Sequence, residues 1–219
     1  MDELRGRGPH ALHYFVLSAS PRRVSLNTAL AHLVAGIIED RGGTQHTSTI
    51  TEFAMPLYNQ DDQDSTGFPE AADRLRDAFE RANGIVILSP EYNASFPGSL
   101  KNALDWLSRF RPQPFNEKQM LLMSASPSMS GGNKGLWALR MPLEHLGARV
   151  YPDMFSLAQA SRAIGEGGLA DPTLQKRLEA TVGSFMDLAE AATHYQCAKH
   201  VWVEFLGEPA ADAEVARAE

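Results

Sequence analysis

The sequence predicts an α/β fold, a doubly wound five-stranded parallel sheet with helices on both faces. Three observations carry that expectation. Short apolar or β-branched runs alternate with longer stretches whose apolar residues recur at helical spacing, the pattern of parallel strands joined by helical crossovers. No internal repeat and no Pro/Ser-rich linker divides the 219 residues, so the alternation belongs to one domain. Hydrophobic residues make up 43% and charged residues 21%, which suits a sizeable core under a polar surface.

The first strand is read at Ala11 to Leu17, a short apolar and aromatic run. Leu26, Leu30, Leu33, Val34, Ile37 and Ile38 then recur at helical spacing, and the helix stops near Arg41-Gly42-Gly43. Thr44 to Phe53 is rich in β-branched residues with a period of two and reads as the second strand. Asn59 to Phe68 is polar, with Asp61, Asp62 and Asp64, and reads as a solvated loop rather than a cation site. Pro69 opens a helix that carries Leu75, Ala78, Phe79 and Ala82.

Gly84 to Leu88 is the third strand, followed by a polar and aromatic loop, a Pro97-Gly98 break and a helix with Leu100, Ala103, Leu104 and Leu107. Gln119 to Met123 is the fourth strand, and Ser124 to Gly132 is a loop of small residues. Leu136 to Leu146 reads as a helix ending at Gly147, and Arg149 to Leu157 as the fifth strand. Asp171-Pro172 is an N-cap and first-turn pair for a helix with Leu174, Leu178, Val182, Phe185 and Ala189. Gly207 to Glu219 has no apolar stripe. These elements divide the chain into an N-terminal extension, 1–10, a domain, 11–203, and a C-terminal tail, 204–219.

Composition narrows the function. The formal net charge of −7 opposes nucleic acid and anionic membranes, so an anionic ligand needs locally placed donors. Cys197 is the only cysteine, which excludes a disulfide framework and a cysteine-based zinc site within one chain. No apolar run approaches 18 residues, and Met1 to His10 lacks the apolar stretch of a secretory signal, so a cytoplasmic location is expected. The seven histidines fall in no metal-binding pattern, and Gly-x-Ser-x-Gly, Gly-x-Gly-x-x-Gly and Gly-Lys-Ser/Thr loops are all absent.

Three loops follow predicted strands and hold the residues suited to ligand chemistry. After the first strand, Ser18-Ala-Ser-Pro-Arg-Arg-Val-Ser-Leu-Asn27 packs hydroxyls, guanidinium groups and an amide at a helix start. A phosphate needs those side-chain donors together with free backbone N–H groups at the positive end of a helix. Ser25 or Asn27 could equally serve only to cap that helix. After the third strand, Tyr92 offers an aromatic plane and Asn93 a donor for ring carbonyls and nitrogens, while Glu91 reads as a group that holds the loop. After the fourth strand, small residues permit close backbone approach, although Ser128 to Ser130 read as well as a plain connection. Trp106 reads as packing, in the core or at a subunit interface.

Two of these segments resemble one family. Ser20, Arg22, Ser25 and Asn27 match in order the Gly-Ser-x-Arg-x-x-Ser-x-Asn loop of NADPH-dependent FMN reductases, with Ala19 where that family usually has Gly. Ser89 to Arg109, with Pro-Glu-Tyr-Asn followed by Pro-Gly-Ser-Leu-Lys-Asn-Ala-Leu-Asp-Trp, is nearly unbroken against its second signature. The resemblance implies a flavodoxin-like fold, FMN as cofactor, NADPH or NADH as electron donor, and a homodimer or homotetramer with the flavin near a subunit boundary. It implies phosphate contacts at Ser20, Arg22, Ser25 and Asn27, and ring contacts at Pro90, Glu91, Tyr92, Asn93 and Ser95. Ser124, Ser126, Gly131 and Gly132 are the candidates on the third loop.

The implied activity passes hydride from the nicotinamide to flavin N5 and on to a quinone, azo, metal-oxyanion or flavin acceptor. The flavin carries that chemistry, so no catalytic side chain is required. The alternative is a flavodoxin-like electron carrier or regulatory protein that binds FMN without fast NAD(P)H oxidation. Arg22 and Arg23 stand where such carriers have a glycine- and threonine-rich loop. A homologue that has lost flavin is disfavoured by the intact Arg22, Asn27, Tyr92 and Asn93.

Overall fold

The computed structural model describes residues 11–194. Strands β1 (His13–Ser18), β2 (Thr44–Thr49), β3 (Gly84–Leu88), β4 (Gln119–Ala125) and β5 (Arg149–Val150) lie parallel in the order β2-β1-β3-β4-β5. This is the doubly wound order, with its direction of winding reversed between β1 and β3. Strand β6 (Phe155–Leu157) pairs with the far end of β4, so β5 and β6 share the fifth position of the sheet. The helices are α1 (Leu26–Asp40), α2 (Gln60–Thr66), α3 (Glu70–Arg81), α4 (Gly98–Leu107), α5 (Asn133–His145), α6 (Ala160–Ala163) and α7 (Pro172–His194).

The central strands bury both faces, and their alternation divides the core in two. Phe15 and Leu17 of β1, Ile85 and Ile87 of β3, and Met120 and Leu122 of β4 pack against α3, α4 and α5. The intervening Tyr14, Val16, Val86, Leu88, Leu121 and Met123 pack against α1 and α7. A parallel sheet covered on both faces has continuous apolar runs for this reason. The edge strand β2 is polar and half exposed, which discourages further pairing along its free side.

Several elements depart from the sequence reading. The second strand ends at Thr49, and Ile50–Phe53 forms a 3-10 turn. Glu52 Oε1 accepts from the Thr49 N–H at 2.6 Å and turns the chain there, while Ile50 and Phe53 still bury their side chains. The expected loop at 59–68 contains α2. Asn59 Oδ1 caps it by accepting from the Asp61 N–H at 3.1 Å, and Asp61 and Asp62 in its first turn complement the positive end of its dipole. It buries no residue, so it offered no apolar stripe to read. The expected fifth strand is split, with Pro152, which has no N–H to pair, between β5 and β6. A small antiparallel hairpin, β7 (Ile164–Gly165) with β8 (Gly168–Leu169), was not anticipated.

The expected cap of α7 is present: Asp171 Oδ1 accepts from the Thr173 N–H at 2.7 Å. The N-terminal extension, the domain boundary at 203, the C-terminal tail, Cys197 and Trp202 lie outside the described residues. Among the described residues no helix is long and apolar enough to cross a membrane.

Candidate functional site

The candidate residues all stand at or just beyond the carboxyl ends of β1, β3 and β4, three neighbouring strands. In open α/β sheets ligands bind at this edge, beside the point where the strand order reverses.

The β1 loop leads into α1. Ser20 is buried, and its Oγ accepts from the Arg22 N–H at 3.4 Å. Ser25 is the N-cap, its Oγ accepting from the N–H groups of Asn27 at 3.2 Å and Thr28 at 3.4 Å. Asn27 is only 3% exposed and spends both ends of its amide on β4. Its Nδ2 donates to the Ala125 carbonyl at 2.9 Å, and its Oδ1 accepts from the Ala125 N–H at 3.0 Å. Asn27 thus staples the first loop to the third. The first turn of α1 holds no acid. Arg22 and Arg23 are exposed, and among the described residues neither side chain has a hydrogen bond or ion pair.

The β3 loop is a tight turn. Tyr92 and Ser95 exchange backbone bonds of 2.8 and 3.0 Å, and the two residues between them are left-handed, Asn93 at φ 52° and Ala94 at φ 60°. Asn tolerates that conformation; for Ala it is strained and needs support from its surroundings. Part of that support comes from Glu91, whose Oε2 accepts from the Gly135 N–H in the first turn of α5 at 3.0 Å. The helix comes so close that a Cβ at Gly135 would stand 3.0 Å from the Ser95 carbonyl oxygen. Glu91 therefore holds the loop, as read from the sequence, and its anchor is α5. Tyr92 is 41% exposed, and Pro90 is half-buried before it.

Ser124, one residue before the end of β4, has its hydroxyl fully buried and without a partner. It lies against Gly132, the left-handed N-cap of α5 at φ 85°, where a Cβ would overlap the Ser124 Oγ. Gly131 precedes it at φ 63°. Ser126, Ser128 and Ser130 form a chain of hydroxyls with two successive contacts of 3.0 Å. The Ser126 N–H donates to Leu157 at 3.1 Å, and the Ser126 carbonyl accepts from the Ala160 N–H at 2.9 Å. Those bonds fix the loop against β6 and α6.

Gly135 and Asn102 have positioning roles that the sequence reading missed. Asn102 on α4 accepts from the Tyr58 N–H and donates to the Pro56 carbonyl, both at 2.8 Å. Trp106, 1% exposed, donates its indole N–H to the same carbonyl at 2.9 Å, which settles it as a core residue. Together they strap the chain after β2 against α4. The signal was present, since Asn102 and Trp106 belong to the second motif, but its partners are more than forty residues away.

This edge fits FMN. The acid-free start of α1 with free guanidinium groups suits a phosphate. The turn presents an aromatic plane and an amide, and the buried Ser124 hydroxyl lacks a partner. Two cavities lie elsewhere, one of about 480 Å³ between α1 and α7 and one of about 260 Å³ beside α7, and no candidate residue lines either.

Comparison with known proteins agrees. The family described as NADPH-dependent FMN reductase matches residues 13–162. A quinone reductase of Escherichia coli (strain K12) is 37% identical over 139 residues, covering 64% of this chain and 73% of that one. A 2-hydroxy-1,4-benzoquinone reductase of a Burkholderia species is 32% identical over 196 residues, covering 81% of this chain and 93% of that one. Among solved structures, the flavoenzyme NAD(P)H:(acceptor) oxidoreductase FerB from Paracoccus denitrificans superposes with a TM-score of 0.71 at 28% identity, covering 83% of this chain and 99% of that one.

Proposed function

This chain belongs to the NADPH-dependent FMN reductase family, and from that premise we propose that it reduces quinones at an FMN held by the three loops. It is an NAD(P)H-dependent FMN oxidoreductase with a flavodoxin-like fold. When bound, FMN supplies the chemistry, taking hydride from the nicotinamide and passing electrons to the acceptor.

The chain's own residues position and bind. Arg22 and Ser20 would hold the phosphate at the start of α1, while Ser25, whose hydroxyl takes the Asn27 and Thr28 N–H groups, and Asn27 would shape the loop that presents them. Tyr92 and Asn93 would meet the ring, with Pro90, Glu91 and Ser95 fixing the turn, and Ser124, Ser126, Gly131 and Gly132 would hold it from the third loop. The observation that carries this reading is the convergence of both motif loops on one sheet edge, after neighbouring strands β1 and β3.

The domain is taken as 11–203, the location as the cytoplasm, where NAD(P)H is available, and the assembly as a homodimer or homotetramer. An exposed apolar strip on α5, Trp137 at 57% and Met141 at 73%, supports self-association.

An absorption spectrum of the FMN-reconstituted protein, followed anaerobically on adding NADPH and then a benzoquinone, tests the reading. Flavin bands that bleach with NADPH and return with quinone are expected. Bands that persist under NADPH would indicate an electron carrier, and absence of FMN binding would remove the site altogether.

A further inference from the structure

We propose that Met129, held in place by Gln159, meets the apolar ring of the electron acceptor, an assignment that deepens the FMN oxidoreductase reading and rests on it.

Met129 stands on the loop after β4, between Ser128 and Ser130 of the hydroxyl chain, and is 76% exposed. Single exposed apolar side chains are ordinary on a protein surface. Position separates this one from the others. Among the large apolar residues exposed in the described chain, Leu57, Trp137, Met141 and Leu188 lie outside the three loops, and Val24 is on the loop after β1. Tyr92 and Met129 stand on the loops after β3 and β4. Those strands are adjacent, roughly 5 Å apart. The two loops leave them side by side, the Ser89 N–H donating to the Met123 carbonyl at 2.9 Å.

A second observation is independent of exposure, for Met129 is held. Gln159 donates from Nε2 to the Met129 sulfur at 2.8 Å and from its backbone N–H to the Ser128 carbonyl at 3.1 Å. It does so at φ 48° and ψ 36°, a left-handed conformation that strains a glutamine and would suit a glycine. The backbone bond needs no side chain, and a thioether is a weak acceptor that adds little to folding. What glutamine supplies over glycine is a fixed orientation for the sulfur. Strain kept to that end marks a functional position.

A thioether suits the ring of a quinone. It is polarizable, makes favourable contacts with aromatic systems and adapts to rings of different outline. An inorganic acceptor such as ferricyanide offers it no ring.

Kinetics of the FMN-reconstituted protein with 1,4-naphthoquinone and with ferricyanide, on Met129→Ala, Met129→Leu and Gln159→Gly, test the assignment. Met129→Ala should raise the KM for naphthoquinone by up to about tenfold, as loss of a sulfur–ring contact implies, without raising that for ferricyanide. Met129→Leu keeps the apolar volume and should restore most of it. Gln159→Gly should raise the same KM by a smaller factor, while its melting temperature holds or rises as the strain is relieved. An unchanged naphthoquinone KM in Met129→Ala, an equal rise for ferricyanide, or slower bleaching of the flavin by NADPH would overturn the acceptor contact. An unchanged KM in Gln159→Gly would overturn the holding role. If the unaltered protein binds no FMN, or NADPH fails to bleach it, the underlying enzyme reading has failed instead.

Discussion

Asn27 shows what a residue type can say and what only its partner can. Its place in the first motif marked it as a phosphate ligand, with capping as the other reading, yet its amide is committed to both backbone groups of Ala125, 98 residues further on. A motif fixes the residue and its spacing, and a partner that distant is legible only once β1 and β4 are folded together. Ser25, by contrast, was legible as a cap because its partners are two and three residues away. Replacing Asn27 with Ala would leave the Ala125 N–H and carbonyl buried without partners. The expected cost is about 1–3 kcal/mol of folding stability, measured by urea unfolding of the flavin-free protein. A loss under about 0.5 kcal/mol would mean that solvent or a neighbour replaces the amide, and the staple would not matter.

Elements were legible wherever they bury a stripe and obscure where they do not. The continuous apolar runs of β1, β3 and β4 gave the sheet, and the apolar period gave α1, α3, α4 and α7. Helix α2 buries nothing and is held by its cap and acidic first turn, so periodicity could not find it. The loop–helix contact between Glu91 and Gly135 was equally hidden, because it joins elements 44 residues apart. Burial inside β1 also sets an alkaline limit. Desolvation pushes the Tyr14 hydroxyl up to about 12, with Glu190 and Asp187 acting in the same direction. The unfolded chain would titrate near its ordinary value of 10. A group whose folded value is raised gives its full contribution below the unfolded value and loses it as pH rises towards the folded one. Between pH 10 and 12 the protein should therefore lose on the order of 2 kcal/mol through this residue. Tyr14→Phe should remove that share of the alkaline loss, as guanidinium unfolding at pH 9 and 11 would measure. Identical pH slopes for the two proteins would show that Tyr14 stays protonated in both states or ionises without cost.

At the scale of the whole molecule, the proposed cofactor site is assembled from loops that share no sequence neighbourhood, and the sheet order alone brings them together. Both motifs were visible in the chain, and their meeting follows from β1 and β3 being adjacent. A ligand that grips such a site binds the folded state and not the unfolded chain, where the loops are dispersed. FMN should therefore stabilise the protein by RT ln(1 + [FMN]/Kd), about 2.7 kcal/mol at one hundred times Kd. Arg22 is exposed and free of internal bonds, so Arg22→Ala should leave the flavin-free stability within about 0.5 kcal/mol of the original. The same substitution should weaken FMN binding by about 1.5–3 kcal/mol if its guanidinium meets the phosphate. Melting curves across an FMN titration separate the two effects. The variant's curve should begin with the original's and need at least tenfold more FMN to reach the same shift. Coincident titrations would take Arg22 out of the phosphate site, whereas a lower starting point would mean that the arginine supports the fold.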